Sequence, residues 1–139
     1  MAHVRLRDLP GEEYAAALEG IRRGDVLLVD LAPTKGQEAN GNTPHPCVVV
    51  SNDTLNENGS TITVVPISGH GNGAIPRDWE VRIAPPDGEV VKECWAMTHH
   101  IRTIAKERVL ETWGKLDTDT MLRIEDWLLW VVGIDFDTE

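Results

Sequence analysis

The chain has 139 residues, 41% of them apolar, and a formal charge of −10 at pH 7. That length suits one domain with a real core, and the apolar share excludes a disordered chain. The acidic balance excludes long-range electrostatic capture of nucleic acid, because the summed field repels phosphate; local basic patches would have to overcome it.

No run approaches the length of a membrane span, and the N-terminus lacks an h-region with a cleavage site, so the chain reads as a soluble cytoplasmic protein. Its two cysteines, Cys47 and Cys94, sit in apolar strand-like surroundings and read as buried free thiols, with no ligand set for structural zinc.

Residues 1–10 read as a loose lead. Pro10-Gly11 then precedes EEYAAALEGIRR, a run of helix formers with Glu12 and Glu13 in its first turn and Gly24 as its stop. Its apolar face of Tyr14, Ala17, Leu18 and Ile21 is narrow, which suits packing on a sheet or a partner. Two short apolar runs follow, Asp25 to Leu31 and Cys47 to Val50, bounded by Gly, Pro, Asn and Asp as buried strands are. Between them lies a loop with Lys35, Gln37, Glu38, Asn40, Asn42, Thr43 and His45, of the kind used for binding. His45 stands between Pro44 and Pro46, so its backbone is stiff and its ring is presented from a nearly fixed position.

Asn52 to Gly59 reads as a turn, and the β-branched run Thr61 to Ile67 pairs back as an antiparallel hairpin. A second glycine-rich loop carries Ser68, His70, Asn72 and Arg77. Trp79 to Ile83 alternates as a half-buried strand, Val90 to Ile104 holds the next strands, and Ala105 to Leu110 adds a helical turn. The last helix has Asp117 as cap, Gly133 as stop and Met121, Ile124, Leu128 and Val131 on one face, before an acidic tail at 134–139. Five or six short strands with a helix at either end imply a mainly β, α+β domain, a small barrel or strongly curved sheet.

The two polar loops can bring His45 and Ser68 to one rim. A histidine and a hydroxyl beside a basic group are the minimum for phosphodiester cleavage, one taking a proton and the others stabilising charge on phosphorus. The alternative is a pair of solvated turn residues. His99 and His100, if on a strand, point to opposite faces and cannot form a simple metal pair. Of the five tryptophans only Trp79 stands beside a polar loop where a base could stack, and the others read as core or interface. Lys35, Arg77 and Arg82 would bind phosphate if they gathered at the rim; otherwise they are solvated charge.

Several ordered segments resemble the MazF/PemK-type toxins of toxin–antitoxin systems. RRGDVLLVDLAPTKGQE is similar to their opening strand and loop, HPCVVVSNDTLN to the second strand with its Ser-Asn-Asp, VVPIS to the third strand, and IRTIAKERV with GKLDTDTM to the approach to the last helix. The resemblance covers about residues 22 to 133. It implies an SH3-like barrel working as a homodimer, and a metal-independent, cofactor-free endoribonuclease that cuts single-stranded RNA through the RNA's own 2′-hydroxyl and is silenced by a cognate antitoxin. The family's catalytic Thr or Ser falls on Ser68, its catalytic Arg on His45, and its Gln ahead of IRTI on His100. Lys35, Gln37, Glu38, His70, Arg77, Trp79 and His100 then form the expected substrate-binding set. With histidine in place of arginine, three outcomes stay open: cleavage through His45, RNA binding with weakened cleavage, or a same-fold toxin acting on a protein such as DNA gyrase.

Overall fold

The computed structural model describes residues 3–36, 44–70 and 75–134. In chain order the elements are β1 (Val4–Arg5), α1 (Gly11–Glu19), β2 (Asp25–Val29), β3 (His45–Val49), α2 (Asp53–Asn58), β4 (Thr61–Ser68), β5 (Glu80–Ile83), β6 (Cys94–Met97), β7 (Arg102–Ala105), β8 (Val109–Lys115) and α3 (Thr118–Val131). The strands pair antiparallel in the order β1-β8-β2-β3-β4-β6-β5, and β7 pairs with the first half of β4.

Successive strand residues face opposite sides of a sheet, and here both sides are covered. Leu27, Val29, Cys47, Val49, Ile62 and Val64 join one core with Leu6 and Ile21; Tyr14, Ala17 and Leu18 of α1 pack against it. Val26, Val48, Val65, Ile67, Val81 and Ile83 join the other with Met121 and Ile124 of α3. This double burial explains why the strands read as unbroken apolar runs rather than alternating ones. The mainly β architecture with a helix toward either end is the one the sequence implies.

Both ends of α3 are where its sequence puts them. The Asp117 carboxylate accepts the Thr120 backbone N–H at 2.8 Å, and Gly133 follows with φ +81°, a conformation that costs glycine little. Three local readings need correction. Residues 3–10 are not a loose lead, because Val4 and Arg5 pair with Thr112 and Glu111 of β8. The segment after β3 is not a plain turn but α2, capped by the Asn52 side chain on the Leu55 N–H at 3.0 Å. His99 and His100 lie not on a strand but in a single 3-10 turn, Thr98–His100.

A buried polar network closes the β3–β4 hairpin. Fully buried Asn56 donates to the Ser51 carbonyl at 2.9 Å and to Asp53 Oδ1 at 3.0 Å, while accepting the Ser51 hydroxyl. Ser51 Oγ in turn accepts the Thr63 N–H at 3.0 Å, and buried Lys106 donates to the Asn56 carbonyl at 2.6 Å. At the opposite side β8 meets the 87–89 turn so closely that a Cβ on Gly114 would stand 2.3 Å from Glu89 Cγ.

Removing a member of such a network strands its partners without hydrogen bonds. Asn56→Ala is therefore expected to lower unfolding stability by about 2–3 kcal/mol, read from urea denaturation. A second expectation concerns acid. The Arg23 N–H and then the Asn56 amide hold Asp53 below the usual carboxylate range, and the Thr120 N–H and hydroxyl do the same for Asp117. Lowered folded-state values stabilise above the ordinary aspartate range and lose that contribution as pH falls through it. The urea midpoint should drop on acidification below about pH 4, and Asp53→Asn should flatten part of the drop.

Candidate functional site

β3 and β4 pair as Val49 with Val64, Val48 with Val65 and Cys47 with Pro66. Carried on to the strand ends, this antiparallel register sets His45 opposite Ser68. Both line one cavity of about 220 Å³, with Val90, Val91, Lys92, Cys94 and Trp113 among its other walls. The expected convergence of His45 and Ser68 is thus a product of strand pairing.

The His45 ring faces a backbone acceptor. Its Nδ1 lies 3.4 Å from the Ile67 carbonyl, and since a carbonyl only accepts, a hydrogen bond there is made by an Nδ1–H donor. His45 Nε2 is buried and has no hydrogen-bond partner among the described residues. Ser68 Oγ accepts the His70 N–H at 3.2 Å, and His70 adopts a left-handed conformation with φ +50°. A Cβ on Gly69 would stand 3.1 Å from Lys92 Cε and 3.2 Å from Lys92 Nζ, so the ammonium lies directly over the backbone beside Ser68.

The other expected site residues fall into separate groups. His70 packs edge-on against Trp95 at 5.2 Å, and its Nε2 lies 2.5 Å from Glu80 Oε1, at an angle that does not make a hydrogen bond. Trp79 donates its indole N–H to His99 Nδ1 at 3.0 Å, stacks on Trp130 with centroids 5.3 Å apart, and has the Arg77 guanidinium 5.6 Å from its ring centre. A base stacking on Trp79 would therefore have to displace one of these neighbours. Burial, ahead of the opposing Glu80 charge, lowers the His99 pKa, in keeping with a neutral ring that accepts from Trp79. His100 sits against His99 with centroids 4.1 Å apart. None of Arg77, Trp79 and His100 is among the walls of the His45 cavity.

Lys35 is exposed at the edge of the first loop, while Gln37 and Glu38 lie outside the described residues. Arg82 is engaged by Glu93 and lines a different cavity with Lys115 and Arg123, so it does not gather with Arg77 and Lys35. Among the described residues no group of three His, Cys, Asp or Glu is placed to hold a metal ion, and no helix is long and apolar enough to cross a membrane. Sequence reasoning missed Lys92 and Trp113. Lys92 comes from a segment read only as strand and Trp113 reads as core or interface, and nothing local marks either as a neighbour of His45.

A hydroxyl, an imidazole and an ammonium around one cleft define a site suited to proton transfer beside an anionic group. Residues 22–132 match the model of the family described as PemK-like, MazF-like toxin of type II toxin–antitoxin system. Endoribonuclease MazF9 of Mycobacterium tuberculosis is 33% identical over 113 residues, covering 78% of this chain and 92% of that protein. The chain belongs to the PemK-like, MazF-like toxin family. Solved structures share the fold. The MazF of Deinococcus radiodurans superposes with a TM-score of 0.69 at 19% identity, over 81% of this chain and 96% of that one. An endoribonuclease from a mycobacterial species, in complex with its cognate antitoxin, gives 0.63 at 20% identity, over 84% and 97%.

Both thiols are free and buried. Burial raises the Cys47 pKa far above the usual thiol range and pushes Cys94 up to about 11. Since thiolate is the reactive form, both are expected to react with a maleimide at least about 100-fold more slowly in the folded protein than in urea. Rapid labelling of folded Cys94 would show that the cleft opens.

Proposed function

We propose that the protein is an endoribonuclease toxin that cuts single-stranded RNA at a short sequence, with His45 as general base. The observation that carries this is the placing of His45, Ser68 and Lys92 on the walls of one cleft, with His45 Nε2 left without a hydrogen-bond partner among the described residues. In the reaction Nε2 takes the proton of the RNA 2′-hydroxyl, the 2′-oxygen bonds to phosphorus, and the bond from phosphorus to the 5′-oxygen breaks. The products are a 2′,3′-cyclic phosphate and a 5′-hydroxyl whose proton comes from solvent. The Ser68 hydroxyl and the Lys92 ammonium stabilise the charge that grows on the non-bridging oxygens. The family arginine's permanent charge is thereby divided between two residues: Lys92 supplies the charge and His45 the proton acceptor. DNA lacks the nucleophile and is spared.

Inhibition by a cognate antitoxin, and assembly as a homodimer, follow from the family. Supporting the first, one structural neighbour is a mycobacterial endoribonuclease in complex with its cognate antitoxin, and another is a MazE-MazF structure from Deinococcus radiodurans.

The test is incubation with single-stranded RNA in the presence of EDTA, followed by mapping of fragment ends. Cyclic-phosphate ends are expected, with His45→Ala and Ser68→Ala each slowing cleavage by at least about 100-fold and Lys92→Ala by about tenfold or more. Intact RNA alongside stalled gyrase would favour the same-fold toxin with a protein target. Undiminished cutting by a single variant would remove that residue from the site.

A further inference from the structure

The family match begins at residue 22, yet a residue far N-terminal to it reaches the wall of the cleft. β1 runs along β8 with Val4 opposite Thr112, which brings His3 beside Trp113. The two rings stack with centroids 3.8 Å apart and planes 6° from parallel. His3 Nε2 donates to the Glu89 carbonyl at 2.8 Å. Its Nδ1 lies 3.9 Å from Glu111 Oε1, the same oxygen that accepts the Trp113 indole N–H at 2.8 Å. One imidazole thus ties together two walls of the cavity: Trp113 on β8, and the 87–89 turn that leads into Val90, Val91 and Lys92.

The cavity is also divided by chemistry. His45, Ser68 and Lys92 are the polar groups suited to a phosphate, while Trp113, Val90 and Val91 present an apolar surface suited to the flat face or edge of a base. We propose that Trp113 is the specificity-determining wall against which the nucleobase next to the scissile phosphate rests, and that His3 is the positioning residue that sets its angle. This rests on the endoribonuclease reading. It adds a base-recognising contact built partly from chain outside the family match.

The test is steady-state cleavage of short oligoribonucleotides that differ only in the bases flanking the cut, by the full chain and its variants. His3→Ala is expected to raise KM about tenfold on the preferred substrate with kcat within about twofold, and to narrow the discrimination among flanking bases. His3→Phe, which keeps a ring on Trp113, should restore most of both. Trp113→Leu should erase the discrimination, and Trp113→Phe should keep part of it if the leucine variant fails to fold. The proposal is overturned if His3→Ala and Trp113→Phe keep the parent's KM and base preference, or if they lower only kcat or melting temperature. A parent that cuts no RNA removes both this proposal and the function beneath it, whereas cutting with unaltered preference removes this one alone.

Discussion

Everything at the candidate site depends on the register of β3 against β4, and that register is held at the far end of the hairpin. Because β2, β3 and β4 bury apolar residues on both faces, a slipped pairing would still bury valines, and hydrophobic patterning alone specifies the register weakly. The Ser51–Asn56–Thr63 network supplies what the valines do not, since its hydrogen bonds are satisfied in one alignment only. A shift of one residue would both break that network and carry His45 away from Ser68. The Ser-Asn-Asp segment by which the family is recognised is in this light a structural device: Ser51 and Asp53 bond within the hairpin, Asn52 caps α2, and none of the three lines the cavity.

The site itself is assembled from one local pair and several distant contributors. His45 and Ser68 come together through a single hairpin, whereas Lys92 arrives on the segment before β6 and Trp113 on β8. This division bears on the proposed sharing of roles between His45 and Lys92. A guanidinium combines fixed charge and hydrogen bonding in one group; in the proposed mechanism the charge stands on Lys92, which lies over Gly69, and the proton acceptor is His45, whose Nδ1 faces the Ile67 carbonyl. Against a chain charge of −10, this local cation matters more than the overall field.

What could be read from the sequence was whatever had a local cause. The buried strands showed in their valine and leucine runs, α3 in Asp117, Gly133 and its apolar face, and the thiols in their apolar surroundings. Even α2 had left a signal, since Asn52 followed by Asp53 is a good cap and first turn, but six residues are too few to show a helical period. His99 and His100 were misplaced because two residues cannot distinguish a strand from a 3-10 turn. The neighbours of Trp79 were illegible for a different reason: Trp130 reaches it from α3, and no pattern within a single element announces a contact between two. Lys92 and His3 belong to the same class, because their positions depend on strand order and not on their own surroundings.

The span between His3 and Glu89, 86 residues apart in the chain, has a consequence for the order of synthesis. The hairpin that pairs His45 with Ser68 is complete once β4 has emerged, but the wall made by Trp113 exists only after β8 has been made, and its His3 brace, though it precedes the hairpin in the chain, has nothing to stack on until then. Domains fold as units during translation, and this one has no finished cleft until β8 has been released. A product that stops short of β8 would carry His45 and Ser68 without the wall that encloses them.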